Sequence, residues 1–233
     1  FSSLSVSKHN AVVVTRHHLA TEVGSKILLD GGNAFDAAIS VAFALAVVNP
    51  SAGNIGGGGF ALLYDANKKT IESIDYRERA PTKAKENMFL DENGNVVKGL
   101  STSSFLSSGI PGTVDGMFKI HEKYGSLPVK KLISPAIDLA EKGFILSEFQ
   151  AEYFNSNREK FSKNPETKKV FVKETLWKKG DLFLQEDLAK TLKRISKFGR
   201  NEFYSGETAK KIINYFQKNG GILTKKDFIN YQS

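Results

Sequence analysis

The sequence has 233 residues, 40% hydrophobic and 25% charged, with no cysteine and a net charge of +8. A chain of this size can bury a core without disulfide or metal staples, and the lack of thiols excludes a disulfide framework and thiolate chemistry. With four histidines and neither an HExxH nor a paired Cys/His spacing, no metal is expected, and nothing in the pattern calls for a cofactor.

The charge is unevenly placed. Residues 1–150 hold 15 basic and 15 acidic side chains, whereas residues 151–233 hold 18 and 10. A basic half can mark a polyanion-binding surface or a solvated lysine-rich one. Here acids interrupt the bases, as in Arg158-Glu159-Lys160, which weakens a steering field, so no nucleic-acid partner is expected. The longest apolar stretch, Ala34–Val48, contains Asp36 and Ser40. It falls short of the roughly 18–20 residues that cross a bilayer, so no membrane span is expected. The opening Phe1-Ser2-Ser3 carries neither an initiator Met nor a leader, so any signal peptide is expected to have been removed.

In chain order, Ala11–Thr15 reads as a buried strand. The adjacent His17 and His18 are expected to point apart. Leu19, Val23 and Ile27 recur at helical spacing, and Asp30-Gly31-Gly32-Asn33 ends one helix and starts the next. Asn33 is a good N-cap with Asp36 in capping-box position, and Ala34–Val48 is apolar almost all round, which predicts a buried helix ended by Asn49-Pro50. Phe60–Tyr64 reads as a buried run and Thr70–Tyr76 as its hairpin partner, suggesting an antiparallel sheet layered with helices. From Pro111 the pattern is mainly helical: Val114, Met117, Phe118 and His121 share a face, as do Leu132, Ile133, Ala136, Ile137 and Ala140. On that face His121 reads as a structural residue rather than a ligand. Helices are predicted over Gln185–Phe198 and Gly206–Lys218, and Thr224-Lys-Lys-Asp227 is a capping box. The composition change near residue 150 is the one hint of a sub-domain boundary.

Three stretches could carry chemistry. Gly56–Gly59 puts four glycines in a row before a strand. It is either a phosphate loop or a backbone passing close to another element. It lacks the Gly-Lys-Ser/Thr ending of the first and does not open a helix. Asp75-Tyr76-Arg77-Glu78-Arg79-Ala80-Pro81 closes a strand. It is either a salt-bridged turn or an arginine fork for a carboxylate, with Glu78 or Asp75 orienting Arg77. Ser107–Thr113 (SSGIPGT) is a tight loop entering a helix. Ser108 is a conceivable nucleophile there, without nucleophile-elbow spacing or an identifiable base.

In this order, GGNAFDAA, the glycine run, RERAP, SGIPGT and FYSGETAKKIINYFQKNGG make the chain, from about residue 10 onward, resemble the large subunit of the gamma-glutamyltranspeptidases. That resemblance implies an α+β fold, the four-layer αββα sandwich of N-terminal nucleophile hydrolases. It implies a precursor that cleaves itself into two subunits. Threonine at the new N-terminus of the small subunit then attacks the gamma-glutamyl carbonyl of glutathione, with its own amine as base. The acyl group passes to water or to an acceptor amino acid or peptide. Arg77, by its place in the RERAP motif, would hold the substrate α-carboxylate. The threonine-led stretch is absent, so residues 1–233 read as an incomplete large-subunit portion of one domain. Residues 1–110 would be its sheet and buried-helix part and 111–233 its helical part. The chain is expected to hold no catalytic residue and to be inactive alone, its partner being its own small subunit. The resemblance also implies a periplasmic or secreted location. An amidase or acylase of other specificity on the same fold, and a basic polyanion-binding module, are the competing readings.

Overall fold

A computed structural model describes residues 11–233 and the backbone of Val6–Lys8; the opening Phe1-Ser2-Ser3 lies outside the described residues. Strands β1 (Val6–Lys8) and β2 (Ala11–Val13) form an antiparallel ribbon beside helix α1 (His18–Leu29). The predicted burial of Ala11–Thr15 does not hold: Val12 and Val14 are 61% and 63% exposed. A two-stranded ribbon covers one face only, and Val13 is the residue turned onto Gly24 of α1.

Gly31, at φ +89°, takes the chain out of α1 into α2 (Ala34–Val48). The expected capping box is present: Asn33 Oδ1 accepts from the Asp36 N–H at 2.9 Å, and Asp36 Oδ2 accepts from the Asn33 N–H at 3.0 Å. The apolar faces of α2 pack against α1, α4 (Thr113–Tyr124) and α5 (Val129–Lys142), burying Ile39, Phe43, Val47 and Val48. Each such side chain contributes roughly 1.5–3 kcal/mol relative to exposure.

Strands β3 (Phe60–Asp65) and β4 (Thr70–Asp75) form the predicted hairpin, in register from Phe60 opposite Asp75 to Asp65 opposite Thr70. The reading of Phe60–Tyr64 as a buried run is corrected. Leu63 and Ile74 enter the core, while Phe60, Leu62, Tyr64 and Ile71 stand 59–77% exposed on the other face. Side chains alternate across a strand, and the core meets this hairpin from one side.

An irregular stretch leads to α3 (Leu100–Ser103) and a 3₁₀ turn at Phe105–Ser107 before α4. After α5 come β5 (Phe144–Ile145), α6 (Glu148–Ser156), α7 (Arg158–Ser162) and α8 (Pro165–Phe171). The chain continues through β6 (Leu182–Phe183), α9 (Glu186–Phe198), α10 (Arg200–Tyr204), α11 (Glu207–Lys218) and α12 (Lys225–Ile229). The bounds of α9 and α11 fall within a residue of those read from the periodicity, and Thr224–Asp227 caps α12 as expected. One continuous hydrophobic cluster runs from Ala20 to Tyr231, so the segments on either side of residue 150 share a core. In the basic half Lys169 and Lys190 both pair with Asp187, Lys173 with Asp181, and Lys193 with Glu141. Among the described residues no helix is long and apolar enough to cross a membrane.

Candidate substrate-binding site

The three chemically suggestive stretches, far apart in sequence, meet at one place. The glycine run passes directly over the backbone that follows β4. Gly59 and Tyr76 exchange both backbone hydrogen bonds, at 3.0 and 3.3 Å. At Gly58 a Cβ would lie 2.4 Å from the Tyr76 carbonyl and 2.8 Å from the Glu78 nitrogen. No real side chain tolerates that approach to backbone, which is why glycine stands there. The Gly57 carbonyl accepts from the N–H groups of Gly112 and Thr113 at 2.7 and 3.0 Å, tying the run to the start of α4. Asn54 completes the corner, accepting from Gly57 N–H and Thr113 Oγ1. At Gly58 and Gly59 the run is therefore a close backbone pass, the reading that the missing Gly-Lys-Ser/Thr ending favoured.

The third stretch docks on the second. Arg79 and Ile110 exchange backbone hydrogen bonds at 2.8 and 3.2 Å, and a Cβ on Gly109 would meet Glu78. Gly116 on α4 lies under the Tyr76 ring, where a Cβ would come within 2.5 Å of it. Burial raises the Tyr76 phenol above its ordinary pKa. Ser108 shares with Glu78 a cavity of about 300 Å³ that no histidine lines. SSGIPGT serves as a structural turn, and Glu78 is the one titratable side chain among the described residues lining the Ser108 cavity.

Arg77 sits at the rim of this junction, two residues beyond the end of β4. Its N–H donates to Asp75 Oδ1 at 2.9 Å, its Nε lies 3.3 Å from Glu78 Oε2, and its guanidinium lies over the Phe60 ring at 5.7 Å. Asp75 thus fixes the backbone and Glu78 the side chain. The side chain remains 60% exposed, so its planar fork faces open solvent while its base is held rigidly. A guanidinium so placed can take a carboxylate through two parallel N–H···O bonds.

Apart from Asp227, already read as a capping-box acid, the residues behind Arg77 were not singled out by the sequence. Tyr231, buried just past α12, donates its hydroxyl to the Arg77 carbonyl at 2.7 Å. Arg79 lies over the Tyr231 ring and Tyr204 stacks on it at 5.5 Å. Arg200 pairs with Asp115 and donates to the Tyr231 carbonyl. Tyr204 donates to the Pro111 carbonyl at 2.8 Å. Asp227 of α12 accepts from both the N–H and the hydroxyl of Thr82. Burial, reinforced by the nearby Asp115 charge, pushes the Tyr231 phenol up to about 12, so it stays a donor at neutral pH. In the sequence Tyr231 is one more aromatic three residues after Phe228, indistinguishable from core packing.

The three histidines among the described residues lie elsewhere. His121 Nε2 lies 2.8 Å from the Leu127 carbonyl, a structural contact. His17 and His18, expected to point apart, instead stack at 4.7 Å. His17 is the extended N-cap of α1, outside any regular element, and its Nδ1 accepts from the Leu19 N–H. Burial first, and the His18 charge second, lower its pKa to about 4. No group of three or more potential metal-binding side chains gathers among the described residues.

The α+β fold is that of the N-terminal nucleophile hydrolases, as its likeness to a solved gamma-glutamyltranspeptidase shows. The protein-family model for gamma-glutamyltranspeptidase matches residues 20–233, and the chain belongs to that family. It is 44% identical, over its whole length, to a glutathione hydrolase proenzyme of Pseudomonas sp. strain A14, covering 40% of that protein. It is 46% identical to the Escherichia coli K12 glutathione hydrolase proenzyme over 92% of this chain and 37% of the other. The crystal structure of Helicobacter pylori gamma-glutamyltranspeptidase superposes with a TM-score of 0.94 at 48% identity, covering 97% of this chain and 65% of that one. The chain thus spans about two fifths of the length of the curated relatives it matches.

Proposed function

We propose that this chain is the N-terminal part of the large subunit of an enzyme that takes the gamma-glutamyl group from glutathione and related donors. The enzyme passes it to water or to acceptor amino acids and peptides. The N-terminal threonine of the small subunit, outside this chain, attacks the gamma-carbonyl while its amine takes the hydroxyl proton. The amide bond breaks, the leaving amine carries the proton away, and water or an acceptor amine then cleaves the resulting ester. This chain contributes the grip on the constant end of the donor through Arg77. The observation that carries the reading is the convergence of the glycine run, the RERAP stretch and the SGIPGT turn on the backbone that presents Arg77 to solvent.

The bare hairpin face of Phe60, Leu62, Tyr64 and Ile71 supports the second subunit as partner, since it offers apolar strand surface to a further layer. Ion pairs threaded through the basic half speak against a polyanion surface. A periplasmic or secreted location goes with the same reading.

The test is turnover of a gamma-glutamyl anilide by the complete, self-processed protein, compared with Arg77→Ala and with residues 1–233 alone. The wild type should turn over. The variant should process normally yet lose most kcat/KM, and residues 1–233 should be inert. Full activity in Arg77→Ala with this donor would remove Arg77 from the donor grip, and no turnover by the processed wild type would move the reading to an acylase of other specificity.

A further inference from the structure

The stretch that carries Arg77 is not held by its own hairpin alone. Beyond Asp75 the ladder ends with the Gly59–Tyr76 pair; Arg79 is then held by Ile110, while the Arg77 carbonyl and Thr82 rest on a segment more than 140 residues away. That segment is α12 and the residues after it. Asp227 takes the N–H and hydroxyl of Thr82, at 2.9 and 2.8 Å, while its other carboxylate oxygen caps α12 through Thr224. Tyr231 takes the Arg77 carbonyl at 2.7 Å.

Tyr231 is itself immobilised on every side. It is 1% exposed, its ring lies between Tyr204 and the Arg79 guanidinium, and its carbonyl accepts from Arg200. Gly112 faces the hydroxyl so closely that a Cβ there would lie 2.0 Å from it. A phenol anchored this way sets the Arg77 peptide plane, and hence the direction in which the side chain leaves the backbone.

We propose that Tyr231 is a positioning residue for recognition of the donor α-carboxylate: its hydroxyl fixes the Arg77 peptide so that the guanidinium meets the carboxylate edge-on. The proposal rests on the reading of Arg77 as the carboxylate grip. It predicts that removing one buried hydroxyl loosens discrimination for the α-carboxylate without abolishing chemistry.

The experiment uses the complete processed enzyme and two anilide donors: the gamma-glutamyl compound and its 4-aminobutyryl analogue, which lacks the α-carboxylate. The ratio of their kcat/KM values measures the grip. Arg77→Ala should collapse this ratio toward one. Tyr231→Phe, which keeps the ring and its packing, should lower it about 3- to 10-fold, the scale of one neutral hydrogen bond. That loss should fall mainly in KM of the gamma-glutamyl donor, with the analogue nearly unaffected. A purely structural role would reduce both donors alike and leave the ratio unchanged.

A ratio within twofold of wild type in Tyr231→Phe, alongside a collapsed ratio in Arg77→Ala, overturns the role of Tyr231 and leaves that of Arg77 standing. An intact ratio in Arg77→Ala overturns both. Should Tyr231→Phe fail to process, Thr82→Val removes the hydroxyl bond of the neighbouring tether and leaves its N–H bond, and a smaller fall in the same ratio is expected. No fall there would equally overturn the clamp.

Discussion

Asp36, in the first turn of α2, accepts hydrogen bonds from the backbone and hydroxyl of Ser126, 90 positions later, while capping its own helix at Asn33. The carboxylate is fully buried and also receives the Leu127 N–H. It locks the start of the central helix to the α4–α5 turn. Asp36→Asn keeps the shape but replaces an acceptor by a donor facing other donors. The expected loss is about 2–4 kcal/mol, the scale of an unsatisfied buried polar group within a network. Urea unfolding of the variant checks it, and a loss under 0.5 kcal/mol, the scale of an ordinary surface change, would discount the lock.

Acid should unfold the protein through the same group and two others. Burial tends to raise the carboxyls of Asp36, Glu202 and Asp227. The hydrogen bonds they accept, led by those from Ser126, Thr208 and Thr224, outweigh it and leave all three below their ordinary values of 3.8, 4.5 and 3.8. A depressed carboxyl stabilises the fold fully above its unfolded pKa, and the contribution disappears as pH falls through the folded value. Stability should therefore fall in two steps: below about pH 6.5, where unfolded His17 takes the proton that its buried folded form, lowered to about 4, resists, and again below about pH 4 as these carboxyls titrate. Asp36→Asn should show a shallower second step. Equal slopes in the two proteins would remove Asp36 from the acid transition.

The glycine run separates into positions that need glycine and positions that do not. Gly56 has open space around its would-be Cβ, whereas Gly58 faces the Tyr76–Glu78 backbone. Gly56→Ala should leave stability within about 0.5 kcal/mol. Gly58→Ala should cost about 1–3 kcal/mol, the range for overpacking, and should lower use of gamma-glutamyl donors more than its stability loss explains, because it displaces Arg77. Melting temperatures and donor kinetics, measured side by side, decide between them; indistinguishable variants would refute the close pass.

Arg77→Lys keeps the charge and loses the planar fork. In the complete enzyme donor kcat/KM should fall by roughly 2–4 kcal/mol equivalent, the scale for a truncated charge pair. Self-processing should proceed, since it uses no donor. Gel analysis of subunit release, together with anilide kinetics, reads both steps in one preparation. Failed processing would assign Arg77 to folding instead.

The lysines of the basic half should be dispensable singly and together. Lys169 and its partner Asp187 are both largely exposed, and a solvated pair of this kind contributes about 0–1 kcal/mol. Replacing Lys168, Lys169, Lys178 and Lys179 by Gln should leave turnover of the complete enzyme within a few-fold. A large loss in a folded protein would reveal a site on that surface.

The helices were legible in the sequence because their determinants are local. The Asn33–Asp36 and Thr224–Asp227 boxes, the left-handed Gly31, Gly199 and Gly220, and the apolar spacing of α2, α5 and α9 act within a few residues. Arg77 was legible as a chemical type at the end of a strand, and its motif marked it further. Burial was less legible. Phe60, Leu62 and Tyr64 have the composition of a buried strand, but exposure depends on which layers a chain packs against, and no local signal encodes that. At Gly56–Gly59 the missing Gly-Lys-Ser/Thr ending already favoured a close pass over a phosphate loop, but the object approached, the Tyr76–Glu78 backbone, is brought there by the fold and could not be named. The hold of Tyr231 on Arg77 belongs wholly to the tertiary structure: it spans 154 positions, and a hydrogen bond over that distance in sequence exists only once the core has closed around both ends.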